Sequence, residues 1–268
     1  MLIYLNEQPE EIAGELSLFA LREQKKPQAD LLIVNGYPTS NDQALKNGDR
    51  VVLIQRGEEP STEELERLIR ARHTPGVHEK IKNSCVGIAG VGGLGSNIAI
   101  ALARIGVGKL VLVDFDVVEP SNLNRQQYFI DQIGLPKVEA LKANLARINP
   151  GVEVVAHYLR VTGGNLAGLF ASVDVLVEAF DAAEQKAMLT SNFLTQMKDK
   201  PLIAASGMAG YGSSNSIQTL KISDRFYLCG DGTTAAEPGC GLMAPRVGIA
   251  AHHQANAVLR LLLGEEPE

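Results

Sequence analysis

The chain has 268 residues, 45% of them apolar, with 25 Lys/Arg against 31 Asp/Glu. That length suits one full α/β domain plus a small accessory one, and the balance is that of an ordinary globular protein. A net charge of −6 argues against a general nucleic-acid binder or a membrane-surface protein. Three scattered cysteines, Cys85, Cys229 and Cys240, make no disulfide framework. The opening MLIYLNEQPEE lacks the basic and apolar regions of a signal peptide, and no apolar run approaches the ~20 residues that span a bilayer. The expected location is the cytoplasm.

In chain order, MLIYLNEQ alternates like a strand and GELSLFALREQKK reads as a short helix. LLIVNGYPTS is a strand running into a turn at Asn35-Gly36, and NDQALKNGDRVVLIQRG gives a loop, a turn at Asn47-Gly48-Asp49 and a strand. This is a small α+β module over residues 1–57, acidic, with six Lys/Arg against ten Asp/Glu in residues 1–60. Gly57-Glu58-Glu59-Pro60 breaks the pattern, placing a domain boundary at 57–61. Ser61 and Glu64 then fit a capping box opening a helix through Leu65, Leu68 and Ile69, which carries Arg67, Arg70 and Arg72.

The second domain, 61–268, becomes regular from residue 84. Strands SCVGIAG, KLVLVDFD, VEVVAHYLRV, DVLVEAFD and PLIAASGMAG alternate with helices SNIAIALARIG, PKVEALKANLARIN, NLAGLFASV and AAEQKAMLTSNFLTQMKD. Pro136 suits the first helical position of the second of these helices, and APRVGIAAHHQANAVLRLLLG is a final helix. The alternation predicts a doubly wound, mostly parallel α/β sheet, Rossmann-like, with ligands beyond the carboxyl ends of its strands. Gly90, Asp114 and Asp181 fall at those ends.

The run GIAGVGGLGS fits G-x-G-x-x-G at Gly90, Gly92 and Gly95, and Asp114 follows at the distance of a ribose-binding carboxylate. NAD, FAD and ATP enzymes share both features. The loop DFDVVEPSNLNRQQYF adds Asn122 and Arg125, the next helix opens on Lys137, and Asp181 ends a later strand. Cations with a carboxylate suit a triphosphate and its metal, although each residue alone reads more readily as a solvated surface group. A nicotinamide-dependent oxidoreductase would share Gly90 to Asp114 but leave Arg125, Lys137 and Asp181 without a purpose. A non-catalytic scaffold that binds carrier or nucleotide is the other alternative.

GVGGLGS, LVDFD, SNLNRQ and PKVEA, in this order and spacing, resemble the ubiquitin-activating-enzyme superfamily, closest to its bacterial sulfur-carrier adenylyltransferases of the ThiF and MoeB type. The resemblance covers roughly residues 62–264. It implies ATP-dependent adenylation of the C-terminal Gly-Gly carboxylate of a small carrier protein. In that pattern Gly90, Gly92, Gly93 and Gly95 admit the phosphates and Asp114 binds ribose. Asn122 and Arg125 contact the phosphate chain, Lys137 stabilises the β- and γ-phosphates, and Asp181 holds Mg²⁺. The pattern also implies a homodimer, formed by the final helices and the strand region after residue 205, in which an arginine crosses to the partner; Arg72 is preferred over Arg70.

Departures from the pattern are informative. The paired CxxC motifs that hold zinc in many relatives are missing, so no zinc is expected. Cys229 and Cys240 flank the loop CGDGTTAAEPGCG, where some relatives keep a covalent thiol, and Cys240 is the candidate here; Cys85 is core packing. His252-His253 gives no metal signal. Residues 1–57 resemble the sulfur carrier itself, a ThiS-like β-grasp, but Arg56-Gly57 runs on into Glu58 instead of ending as a free Gly-Gly carboxylate. This copy is read as a docking or regulatory remnant, and the substrate as a separate carrier, with the thiamin one preferred. A relative that activates a tRNA-bound threonylcarbamoyl group remains a further alternative.

Overall fold

The computed structural model describes residues 1–267 and divides the chain into two compact units, Met1–His73 and Thr74 onward. The first unit contains β1 (Leu2–Leu5), β2 (Gln8–Glu11), α1 (Leu18–Lys25), β3 (Leu31–Val34), β4 (Tyr37–Thr39) and β5 (Arg50–Ile54). The sheet order is β2-β1-β5-β3-β4, with β1 and β5 parallel and the other pairs antiparallel. Ile3, Leu18, Leu21, Val51 and Leu53 form its core, and α1 starts where the Ser17 hydroxyl accepts the Ala20 N–H. Two of the expected single strands are hairpins. Asn6 and Glu7, at φ 46° and 64°, turn β1 into β2, and Asn35-Gly36 turns β3 into β4.

Helix α2 (Thr62–Arg70) belongs to the first unit. The Ser61 hydroxyl accepts the Glu64 N–H at 3.1 Å, but the Glu64 carboxylate takes Asn6 Nδ2 instead of reaching back to Ser61. Only half of the expected capping box forms, because a side chain from the β1–β2 turn competes for it.

The second unit continues with α3 (Val77–Ile81), β6 (Cys85–Ala89), α4 (Gly93–Arg104), β7 (Lys109–Asp114), α5 (Lys137–Ile148), β8 (Glu153–Tyr158), α6 (Leu166–Leu169), β9 (Val175–Glu178), α7 (Ala183–Gln196) and β10 (Leu202–Ala205). Then come β11 (Gln218–Ser223), β12 (Phe226–Gly230) and α8 (Ala244–Leu263). The sheet order is β11-β12-β10-β9-β6-β7-β8, parallel except for β11 against β12. Every residue of β6, β9 and β10 is buried, as central parallel strands require. One core lies among α4, α5, α8 and the sheet, and a second around Phe170, Leu189 and Phe193 of α6, α7 and their approach. Pro136 sits at the N-cap with extended backbone (ψ 130°), one position before the expected one, so Lys137 is the first helical residue.

The order of the sheet reverses at β6, where chain crossovers lead away on both sides. There α4 abuts the strand: a Cβ on Gly95 would lie 1.9 Å from the Gly90 carbonyl oxygen. At the far end of the sheet, Arg246 in the first turn of α8 is buried and donates to the carbonyls of Gly212 and Ser213, the Ser216 hydroxyl and the Asp231 carboxylate. Asp231 also accepts the N–H groups of Thr233 and Thr234 and the Thr234 hydroxyl. This pair ties the loops on either side of β11 and β12 to the final helix.

Two stability measurements follow. Gly95→Ala should destabilise the second unit by about 3 kcal/mol or more, since a backbone oxygen must move to admit the methyl. Gly248→Ala, in α8 with no atom within 4 Å of the added Cβ, should stabilise by about 0.5–1 kcal/mol through helix propensity. Equal midpoints for both variants in urea unfolding would contradict the close approach. For the buried pair, Asp231→Asn leaves Arg246 uncompensated, at a cost of about 3–5 kcal/mol near neutral pH. Burial alone would raise the Asp231 carboxyl; the Thr234, Thr233 and Arg246 donors hold it well below its ordinary 3.8. A lowered carboxyl stabilises the fold above its unfolded value and loses that contribution as pH falls. The gap between wild type and Asp231→Asn should therefore narrow progressively below pH 3.8 in acid unfolding.

Candidate active site

A cavity of about 640 Å³ opens beyond the carboxyl ends of β6, β7, β9 and β10. Its floor is the turn from β6 to α4. Gly90 has φ +88°, and a Cβ there would stand 2.8 Å from the Ala179 carbonyl, so only glycine fits. No side chain caps α4, whose first residue is Gly93, so its leading N–H groups face a ligand site without a protein competitor. Val91 is clamped at both backbone atoms: its N–H donates to Asp114 Oδ2 at 2.7 Å, and its carbonyl accepts the Tyr128 hydroxyl at 2.6 Å. The buried Tyr128 phenol is pushed above its ordinary range by desolvation, with the charges of Asp114 and Asp116 adding to it, so it stays a donor.

Asp114 ends β7 on the cavity wall, and its second oxygen accepts the Asp116 N–H at 2.9 Å. Burial raises its carboxyl above 3.8, opposed by the two backbone donors and by Lys137. Lys137 is buried on the wall, its Nζ 2.9 Å from Asp116 Oδ2, and Asp116 itself is half-exposed. Arg125 also lines the cavity. Its Nη1 donates to Asn124 Oδ1 and the Ser121 carbonyl, while its buried Nε has no partner among the described residues. Gln126 beside it has a buried, unpartnered Oε1. Asp181 lies on the turn after β9, exposed on the cavity wall, and makes no hydrogen bond or ion pair among the described residues.

Not every expected residue of the second unit lines the cavity. Asn122 is buried behind the wall, and its Oδ1 accepts the Glu119 N–H to hold the short turn Pro120–Asn124 that delivers Arg125. Arg72 lies in the first unit, highly exposed, with a loose 3.8 Å contact to Glu7. Cys240 is half-buried in a small turn with Glu237, and its Sγ lies beside Gly210, away from the cavity lining. Cys229 is buried in β12, where desolvation raises its thiol to about 11; burial also raises Cys85. Among the described residues no three His, Cys, Asp or Glu side chains gather to hold a metal by themselves, and no helix is long and apolar enough to cross a membrane.

Four wall residues escaped the sequence reading. Gln126 lay inside a quoted motif without a role. Phe115 and Arg160 stack at the mouth, the guanidinium 3.9 Å from the ring centroid. Lys186 of α7 lines the cavity while pairing with Glu178, which is fully buried. Gln126 in SNLNRQ and Phe115 in LVDFD had motif placement as a signal; Arg160 and Lys186 come from segments of unremarkable composition.

Comparison with known proteins fits this arrangement. A profile of the ThiF family matches residues 65–268, and one described as ThiS-like ubiquitin matches residues 1–57. Molybdopterin-synthase adenylyltransferase of Escherichia coli is 32% identical over 69% of this chain and 76% of its own length. The tRNA threonylcarbamoyladenosine dehydratase of Bacillus subtilis is 40% identical over 54% of this chain, but the match spans only 57% of that protein. The solved structure of the E. coli dehydratase in complex with ATP shares the fold, with a TM-score of 0.66 at 22% identity over 73% of this chain and 92% of that one. The chain belongs to the ThiF family of the ubiquitin-activating-enzyme superfamily and carries a ThiS-like ubiquitin domain ahead of it.

Proposed function

We propose that this protein adenylates the C-terminal Gly-Gly carboxylate of a separate ThiS-like carrier, using ATP, in the sulfur-transfer branch of thiamin biosynthesis. The observation that carries this reading is the set of unclaimed polar groups around the glycine turn: Arg125 Nε, the Asp181 carboxylate and the free helix N-terminus. An anion on the glycine turn would satisfy both the helix and Arg125, with Lys137 turned from Asp116 to the phosphates. Asp114, fixed by two backbone N–H groups, would accept a ribose hydroxyl. Asp181 is a hard oxygen donor that would hold Mg²⁺, and the ion would supply neutralisation of the phosphate charge; among the described residues no cluster offers it a site of its own. The carrier carboxylate is already a nucleophile, so no general base is required. Its attack on the α-phosphorus releases pyrophosphate and leaves an acyl-adenylate. Positioning and cations supply the catalysis.

The thiamin carrier is preferred over the molybdopterin one because a ThiS-like domain is fused to the chain. A second reading, activation of a tRNA-bound threonylcarbamoyl group, is favoured by the 40% identity to the B. subtilis dehydratase. The net charge of −6 opposes it, because a polyanionic substrate is gathered by basic surface. The ATP–pyrophosphate exchange assay separates the readings. Exchange should appear only with a Gly-Gly-ending carrier, strongest with the thiamin one; tRNA-dependent ATP turnover without any carrier would favour the second.

Asp181→Asn should keep the fold and lower exchange at least ~10²-fold, the cost of losing a metal-bridged contact to developing charge. Unchanged turnover in a folded variant would remove Asp181 from the mechanism. We further assign Arg72 to the active site of a second copy in a homodimer. Mixing Arg72→Ala with Asp181→Asn should then restore about a quarter of wild-type activity at random assortment, since half the dimers regain one competent site. No recovery after proven subunit exchange would confine Arg72 to its own chain.

A further inference from the structure

Glu178 is the last residue of β9 and the most deeply buried carboxylate beside the cavity, its side chain 1% exposed. Its Oε1 accepts the Phe180 N–H at 2.7 Å. Lys186 Nζ reaches both oxygens, at 2.9 and 2.8 Å. Gln254 of α8 donates to the Glu178 carbonyl at 3.0 Å. The Ala179 N–H donates to the Ala89 carbonyl, and Ala179 and Phe180 press against Gly90. The strand end before Asp181 and the helix start after it are thus joined by one ion pair, and the joined turn is seated on the glycine turn.

Nothing in adenylyl transfer as described above uses this pair. Burying a carboxylate is costly even with a partly exposed ammonium beside it, and a well-packed apolar pair commonly does as well for stability. What an apolar pair lacks is direction: the Glu178 oxygens fix the Phe180 N–H and the Lys186 ammonium at set positions one residue and five residues from Asp181. Resting on the assignment of Asp181 to the metal, we propose that Glu178 and Lys186 are positioning residues that hold the Asp181 carboxylate in register with a phosphate-bound divalent cation. Outer partners of this kind orient the ligand, and their loss weakens metal binding rather than nucleotide binding.

The test uses the full chain loaded with ATP, with Mn²⁺ as the probe and bound metal read by electron paramagnetic resonance. ATP affinity without metal is measured separately in EDTA. For Lys186→Met, Mn²⁺ should be held about 10–100-fold more weakly while metal-free ATP affinity stays within about twofold, and Lys186→Arg should regain most of the loss. Unchanged Mn²⁺ retention in folded Lys186→Met overturns the proposal. An equal fall in metal-free ATP affinity also overturns it, making Lys186 a direct phosphate contact. If Lys186→Met does not fold, the near-isosteric Glu178→Gln is read against the same two thresholds. Asp181→Asn, run alongside, separates the two levels. If it keeps Mn²⁺, both the metal assignment and the positioning pair fall; if it loses Mn²⁺ while the Lys186 and Glu178 variants do not, only the positioning pair falls.

Discussion

The Gly90 carbonyl and the backbone of Gly95 approach so closely that no Cβ fits between them, at 1.9 Å. That contact sets the N-terminus of α4 directly over the end of β6, and the other parts of the cavity are built outward from it. Val91 is held in place by Asp114 from one side and Tyr128 from the other, so the glycine turn is rigid before any ligand arrives. Phe180 and Ala179 rest against Gly90, which brings the β9–α7 turn, with Asp181, to the same edge. A methyl group at either glycine would separate elements that come from three different strands.

The charged groups of the wall divide by whether the protein has already used them. Asp114 and Glu178 are buried and accept backbone N–H groups, and burial raises both carboxyls while their donors oppose it. Lys137 leans on Asp116, and Lys186 on Glu178. Glu178 and its partner Lys186 hold shape, while Asp114 and Lys137 also stay on the cavity lining, within reach of a ligand. Arg125 Nε, Gln126 Oε1 and Asp181 have no partner among the described residues, and they surround the space over the helix N-terminus. In the low dielectric of a cavity, preset charges of this kind need little reorganisation when a ligand's charge changes.

The parallel sheet was legible because its strands are continuous apolar runs and its crossovers have helical period, a signal that survives without tertiary knowledge. The two hairpins of the first unit were harder. The turn at Asn6-Glu7 takes left-handed backbone at a glutamate, which no glycine announces, whereas Asn35-Gly36 was visible as a turn but its short return strand Tyr37–Thr39 was not. The pair β11–β12 lies in QTLKISDRFYLCG, where the edge strand faces solvent along most of its length, Leu220 and Ile222 included. At the site, residues on glycine-rich or motif-dense segments were readable by spacing. Lys186 and Arg160 were not, since their meaning comes from a carboxylate eight residues earlier and a ring just past the end of β7. Asn122 shows the converse: a motif residue whose work here is to hold a backbone turn.

The first unit narrows what the proposed chemistry can act on. A carrier reacts through a free terminal carboxylate, a charged nucleophile. In this chain the carbonyl of Gly57 is an amide bonded to Glu58, whose N–H donates to the Gln55 carbonyl and whose carboxylate pairs with Lys26 at 2.7 Å. An amide oxygen carries no full charge and cannot attack the α-phosphorus as a carboxylate does. The ubiquitin-like unit therefore keeps the core of a carrier, built on Ile3, Leu18, Leu21 and Val51, without its reactive atom. Adenylation within the chain would require first cutting the bond at Gly57. A substrate supplied by a separate chain requires no such cut, and that is why the proposed reaction is written between two molecules.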